Sequence, residues 1–464
     1  MVDDMKRLYE KHLLTWINSQ NRKPLILRGA RQVGKSTLVK NFAENNKYIL
    51  NEINLELYKA LDSIFATFDI TRIIAELEAI IGRKIVVPNS ILFLDEIQAT
   101  PNAIAALRYF YEKYPSLPVI AAGSLLEFVM AKHSFSMPVG RVSFMHLGPM
   151  TFKEFLMESK PELVNYIDNI NLTETIPENA HNMLLQELRK YIFIGGMPES
   201  VKAFIETKSM QDSILIQNQI LQSYENDFSK YASYKELDLL QKIFKRLPSV
   251  IGQKIKYVNI DKLELSRDIK KALDLLNKAK IFEQIHSTDC SGIPLSAHEK
   301  DTVWKPIFLD VGLYNNACGL KWNDISNTDD VTFVNEGHIA EQFIGQHLLY
   351  CGEFYEKPSL HYWLREKRSS NAEVDYVISN GKKIIPIEVK AGKRGTLKSL
   401  CQLVAEKNIS HAVRFDTNMA SIQKTEYSLP IKKVSYNLIS IPLYAVSEIY
   451  RILNSCVDFG TTTS

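Results

Sequence analysis

Two groups of residues in this 464-residue chain have the types and spacing for chemistry, and they lie far apart in the sequence. The first is Gly29-Ala30-Arg31-Gln32-Val33-Gly34-Lys35-Ser36-Thr37, preceded by the apolar run Leu25-Ile26-Leu27 and followed by a helical pattern. Gly29 and Gly34 let the backbone turn tightly and bring N–H groups against phosphate oxygens, where a Cβ would intrude. The helix that follows aims its unpaired N–H groups and positive dipole end at the same anion. Lys35 reaches the β- and γ-phosphates and the Ser36 hydroxyl serves Mg²⁺, so strand, loop and helix read as a P-loop for ATP.

The segment Ser90-Ile91-Leu92-Phe93-Leu94-Asp95-Glu96 is an apolar strand ending in two carboxylates. It is expected beside the P-loop strand, with Asp95 holding Mg²⁺ through water and Glu96 polarising the attacking water as general base. Leu117 to Ser124 reads as a further buried strand. Its polar end, Ser124, either senses the γ-phosphate or belongs to an ordinary strand-to-helix turn. Arg141, after Gly140, either stabilises transition-state charge in its own or a neighbouring subunit's site or forms a surface salt bridge.

The second group is Asp375 and, after twelve intervening residues, Glu388-Val389-Lys390, with Glu341 on a helix-like stretch upstream. Asp375, Glu388 and Glu341 are hard-oxygen ligands suited to Mg²⁺. Lys390, two residues from Glu388 and so on the same strand face, would orient or activate a water attacking phosphorus. The plainer alternative is a hairpin with an acid on each strand and an exposed lysine, and a nuclease-like fold serves binding as well as cleavage.

These groups need scaffolds, and the periodicity supplies them. Residues 1–155 alternate apolar strands with helical patterns, the signature of a parallel α/β core. Residues 156–232 are mainly helical, a lid and connector in which Gly195-Gly196 is a candidate hinge. Residues 233–295 run helix, helix, helix and hairpin, the order of a winged helix. Its last helix carries Arg267, Lys270, Lys271 and Lys278, which either meet a duplex backbone or form a solvated face. Residues 296–464 run helix with Glu341, strand, strand with Asp375, strand with Glu388-x-Lys390, helix and strand.

At 45% hydrophobic and 23% charged, the chain reads as soluble and globular, long enough for several domains. A net charge of +3 gives no bulk attraction to nucleic acid, so any such binding must come from local patches. No apolar run approaches the ~18 residues of a membrane span. The five cysteines are scattered without redox or metal-site spacing, and the opening MVDDMKRLYEKHLLTW lacks a targeting pattern, so a cytoplasmic protein with reduced thiols is expected.

The ordered series GARQVGKST, ILFLDEIQ, AAGS, GRV with PMTFKEF, IGGMPE, PIFLDVGL, AEVDYVIS and IIPIEVKAG resembles a widespread group of prokaryotic AAA-type ATPases. Members of that group carry a C-terminal domain with a restriction-endonuclease-like PD-(D/E)XK core, and the resemblance runs over nearly the whole chain. It implies ATP and Mg²⁺ held by Gly34, Lys35, Ser36 and Asp95, with Glu96 as the hydrolytic residue. One departure is Val374, where the nuclease pattern has proline before the aspartate. The expected protein is an ATP-driven motor or switch coupled to a module that handles nucleic acid. Its alternatives are an ATP-dependent nuclease and a signalling-type switch that binds a protein partner. An Arg141 acting in trans implies a homo-oligomer.

Overall fold

The computed structural model describes residues 5–131, 138–320, 322, 336–367, 370–390, 397–428 and 433–456. The chain divides into two compact units, one made of Met1–Pro149, Asp274–Ile281 and Gly352–Pro358, the other of Met150–Leu273, Phe282–Cys351 and Ser359–Ser464.

The first unit is built on a sheet of β1 (Leu25–Arg28), β2 (Ile49–Asn54), β3 (Ser90–Asp95), β4 (Val119–Ala122) and β5 (Ser143–His146), in the order β2-β3-β4-β1-β5. Every pairing is parallel. Parallel neighbours require crossovers, which the helices Lys35–Asn45, Ile70–Ile81 and Pro101–Lys113 provide. Helices on the faces bury the strands on both sides, which is why β3 and β4 are buried at every residue and read as unbroken apolar runs. The core sits between Ile26, Leu92, Leu94 and Ala121 of the strands and Leu107 and Phe110 of a covering helix.

This order corrects one expectation. β3 does not lie beside β1, because β4 pairs with both and separates them. Apolar runs of this kind are interchangeable as sequence, and only the crossovers decide which neighbours which.

The second unit opens with helices. Phe152–Ser159 starts from a capping box in which Thr151 and Glu154 satisfy each other's backbone N–H. Glu178–Ile194, Pro198–Thr207, Met210–Asp227 and Tyr234–Arg246 follow. Its sheet contains β6 (Phe282–Thr288), β7 (Glu299–Phe308), β8 (His361–Lys367), β9 (Ser370–Asn380), β10 (Lys383–Val389), β11 (His411–Asp416), β12 (Ser421–Ser428) and β13 (Lys433–Pro442). The order is β12-β13-β11-β10-β9-β8-β6-β7.

Two readings of the sequence change here. Helices Tyr234–Arg246, Tyr257–Ile260 and Ser266–Lys278 and the hairpin β6–β7 occur in the expected succession. The hairpin is nevertheless part of the large sheet, since β6 pairs in parallel with β8, and a boundary at residue 295 would cut through it. Gly195-Gly196 is not placed as a hinge. Gly195 is left-handed at φ 70, and a Cβ there would strike the Asp310 carboxylate. A Cβ on Gly196 would strike the Met150 carbonyl, so both glycines serve close packing.

Among the described residues no helix is long and apolar enough to cross a membrane. The five cysteines are free thiols.

Candidate functional site

β1 ends at Arg28 and releases the chain into the loop at the carboxyl edge of the sheet. Gly29 approaches the Leu147 carbonyl so closely that a Cβ would overlap it, and Leu147 N donates to Arg28 O at 2.8 Å. Gln32 and Gly34 take left-handed φ values of 64° and 89°, and Gly34 then serves as the N-cap of Lys35–Asn45. The buried Arg7 clamps this loop from outside, donating to Val33 O and Gly148 O at 2.9 Å each. Nothing in the sequence singled out Arg7, which lies in an ordinary amphipathic stretch.

Lys35 is buried, and its ammonium donates to Gly29 O at 3.1 Å and Ala30 O at 2.7 Å. Burial pulls its pKa down to about 8, with Arg31 adding to the fall and Glu96 and Asp95 opposing it. Ser36 Oγ donates to Asp95 Oδ2 at 2.7 Å, which brings the loop hydroxyl onto the carboxylate at the end of β3. Burial, the largest influence, raises the Asp95 pKa, while the Ser36 hydrogen bond lowers it. Ser36 and Asp95 are hard oxygen donors side by side, a set that fits Mg²⁺, which takes one or two carboxylates and fills the rest of its octahedron with phosphate oxygens and water. Ala30 and Val33 are buried, while Thr37 is exposed on the first helical turn.

Glu96 follows in a left-handed conformation, φ 50°, and its Oε2 accepts from Gln98 Nε2 at 2.5 Å. The other end of Gln98 lies where a Cβ on Gly123 would be. Ser124 is buried just past β4. Because β4 lies between β1 and β3, Ser124 leaves the sheet between the strand that carries the loop and the strand that carries Asp95. Gln98 was not foreseen either, although it sits two residues past the acids.

Arg141 is placed elsewhere. It lies two residues before β5, whose Ser143 is in register with Leu25 at the start of β1. That is the amino edge of the parallel sheet, and the loop leaves from the carboxyl edge, ~10–13 Å away at strand rise. Arg141 is paired with Glu112 at 2.9 Å and is 45% exposed. A cis role at its own P-loop is therefore corrected by the geometry.

The second group gathers in the other unit. The β9–β10 hairpin, turned at Gly381 with φ 57°, brings Asp375 and Glu388 onto adjacent strands. Glu341 comes from the helix Glu336–Tyr350. Asp375 Oδ2 accepts from Val389 N at 2.7 Å, and Glu388 Oε1 accepts from Lys390 Nζ at 2.6 Å. Glu388 Oε2 is buried without a hydrogen-bond partner among the described residues. Burial, reinforced by Asp375, pushes Glu341 up to about 8 and Glu388 up to about 7. Burial also raises Asp375, against the pull of Lys305 and the Val389 N–H.

Lys305 of β7 is the residue that sequence reading missed. Its side chain is fully buried, its ammonium donates to Glu373 Oε1 at 3.2 Å, and it lies 5.0 Å from the ring centre of Tyr362 and 5.1 Å from that of Tyr376. Burial alone would favour its neutral form, but Glu341, Glu373 and Asp375 outweigh it and hold the ammonium charged. Among the described residues no three metal-ligating side chains are arranged to hold an ion. Glu341, Asp375 and Glu388 are the carboxylates expected to serve Mg²⁺. These carboxylates are close enough to perturb one another, yet Asp375 and Glu388 each give an oxygen to a donor of the chain itself.

Comparison with known proteins adds the following. Residues 21–156 match the family model of an AAA domain, and residues 185–324 and 336–444 match two domains of unknown function, DUF8612 and DUF4143. A comparison with curated proteins found no match. Among solved structures, the chain is similar to the Walker-type ATPase PABY2304 of Pyrococcus abyssi at 15% identity, over 68% of this chain and 96% of that one, with a TM-score of 0.42. It is similar to the Orc1 protein of Aeropyrum pernix in complex with DNA at 11% identity, over 67% and 90%, with a TM-score of 0.28. It is also similar to the RuvB Holliday junction branch migration motor of Thermotoga maritima at 13% identity, over 60% and 90%, with a TM-score of 0.26. The family match, the parallel five-stranded sheet and the loop at the end of its β1 together make residues 21–156 an AAA-type ATPase domain of the P-loop class.

Proposed function

We propose that the chain binds ATP with Mg²⁺ at Gly29 to Thr37 and Asp95 and hydrolyses it with Glu96 as general base. The observation that carries this reading is the 2.7 Å hydrogen bond from Ser36 to Asp95, with the buried Lys35 ammonium under the same loop. Loop N–H groups and the helix amino terminus donate to the phosphate oxygens, Lys35 neutralises their charge, and Ser36 and Asp95 hold the metal. Glu96 polarises water, Gln98 holds the Glu96 carboxylate in place, and Ser124 senses the terminal phosphate. The test is nucleotide binding and turnover in two variants. Lys35→Ala should lose binding, and Glu96→Gln should keep binding and lose turnover; equal hydrolysis by wild type and Glu96→Gln removes the assignment of the base.

The nucleotide state is read out, in this proposal, by the second unit. Supporting a restriction-endonuclease-like core there is the succession of helix Glu336–Tyr350, β8, β9, β10, helix Lys398–Lys407 and β11, with β10 and β11 parallel. The exposed Arg267, Lys270, Lys271 and Lys278 offer a basic helix face toward nucleic acid. Arg141, at the amino edge of its sheet, would exchange its pair with Glu112 for the phosphates of a neighbouring copy to act as a finger. Fluorescence anisotropy of labelled DNA with ATP, ADP or no nucleotide tests the coupling, and nucleotide-independent affinity argues against it.

A further inference from the structure

We propose that Lys305 is the resident cation of the acidic cluster in the second unit, supplying from within the chain the counter-charge that a nuclease would take from a divalent metal, an inference that rests on the nuclease-like reading of that unit. The inference concerns that unit alone and does not depend on the ATP reading.

The cluster contains four carboxylates, Glu341, Glu373, Asp375 and Glu388. Two are on one strand at i and i+2, one is on the neighbouring strand, and one is on the helix over them. Buried carboxylates need counter-charge, because isolating them from water is far costlier than pairing them. A hydrolytic site meets that need with Mg²⁺, which leaves open positions for a phosphate oxygen and a water. This chain meets part of it covalently. Lys305 belongs to β7, the edge strand, two places beyond β8 in the sheet, and its side chain passes Tyr362 of β8 and Tyr376 of β9 to reach Glu373. It is fully buried, and the two phenol rings supply faces that favour a cation. Tyr376 is itself fixed by donating to the Glu341 carbonyl at 2.9 Å, with Gly345 leaving the room its ring requires.

A second ammonium, Lys390, is bound to Glu388 at 2.6 Å, so these two cations are spent on carboxylates. An ammonium offers no vacant coordination position and does not acidify a water as a divalent cation does. The cluster with Lys305 in place is therefore a structural centre whose charge the chain offsets in part from within, and the unit binds its ligand without cutting it.

Mn²⁺ binding to the full-length chain without nucleotide, followed through the electron paramagnetic resonance of free Mn²⁺, tests this. Titrations at roughly pH 7 to 9 cover proton competition for the carboxylates. Wild type and Asp375→Asn should bind the same amount of Mn²⁺. Lys305→Met should gain a site, and adding Asp375→Asn to it should remove that site. A wild-type site lost in Asp375→Asn overturns the proposal, and so does a folded Lys305→Met that gains none. Should Lys305→Met fail to fold, the comparison of wild type with Asp375→Asn still decides. DNA cleavage by wild type that Asp375→Asn abolishes would also overturn it.

Discussion

Gln98 Nε2 donates to Glu96 Oε2 at 2.5 Å, so the candidate base is held by a neutral amide two residues further along the chain. The bond fixes a carboxylate whose own backbone is left-handed, and it does so from a side chain packed against Gly123, next to Ser124. Gln98 is thus a positioning residue between the base and the end of β4. Gln98→Ala should leave ATP affinity unchanged and lower kcat by about 10-fold, a fraction of the roughly 10²–10⁴-fold that a general base contributes, because Glu96 itself remains. Gln98→Glu, which sets a like charge against Glu96, should lower it further. A change in KM with kcat intact would contradict this role.

Lys35 supplies a pH signature. Its pKa is lowered to about 8, chiefly by burial, whereas an unfolded lysine titrates near 10.4. Near pH 8 the nucleotide-free chain is partly deprotonated at this position, and an incoming triphosphate favours the ammonium. ATP binding should therefore take up a proton at pH about 8 and weaken as pH rises above it. Calorimetry in buffers of different ionisation enthalpy measures the uptake; enthalpies that do not vary with buffer would rule it out.

Arg141 separates two roles by location. Its solvent-screened pair with Glu112 contributes little, so Arg141→Ala should barely shift the unfolding midpoint. At the amino edge of the sheet it cannot serve its own loop, and turnover at high dilution should match wild type. A finger acting in trans would show only at concentrations where copies associate, as a loss of turnover with ATP binding retained. A loss independent of concentration would contradict the geometry.

Asp310 should make stability depend on pH. It is fully buried and accepts from Gly196 N at 2.6 Å and Leu313 N at 3.0 Å, and burial pushes its pKa up to about 6 despite those bonds. An unfolded aspartate titrates near 3.9, so between about pH 4 and 6 the folded state binds the extra proton. The contribution is full below about pH 4 and lost as pH rises through 6, on the order of 3 kcal/mol at most. Asp310→Asn should remove that slope and cost roughly 1–3 kcal/mol of its own, because an amide cannot accept at both oxygens. Denaturant melts across this pH range check both effects.

The glycines beside Asp310 are tested in the same way. Gly196→Ala drives a methyl into the Met150 carbonyl, and Gly195→Ala drives one into Asp310 at a left-handed φ of 70°. Each should cost about 2–3 kcal/mol, the scale of overpacking plus backbone strain. A hinge would tolerate either change with a loss of turnover and little loss of stability.

What the sequence determined by itself is local. The loop Gly29 to Thr37 was legible because tight turns and phosphate contact demand glycine at set offsets, and the helix follows without a break. The carboxylates at the end of β3 and the pairing of Asp375 with Glu388 across a hairpin were legible for the same reason, since strand alternation and a short turn place them. The tertiary structure alone decided what depends on distant segments meeting. It put β4 between β1 and β3, set Arg141 at the far edge from its loop, and brought Arg7 onto Val33. It also carried Lys305 to Glu373, 68 positions away, setting a buried ammonium among the carboxylates. No periodicity encodes such meetings, because parallel strands have no sequence mark of their order and a buried lysine looks like an exposed one until its neighbours are known.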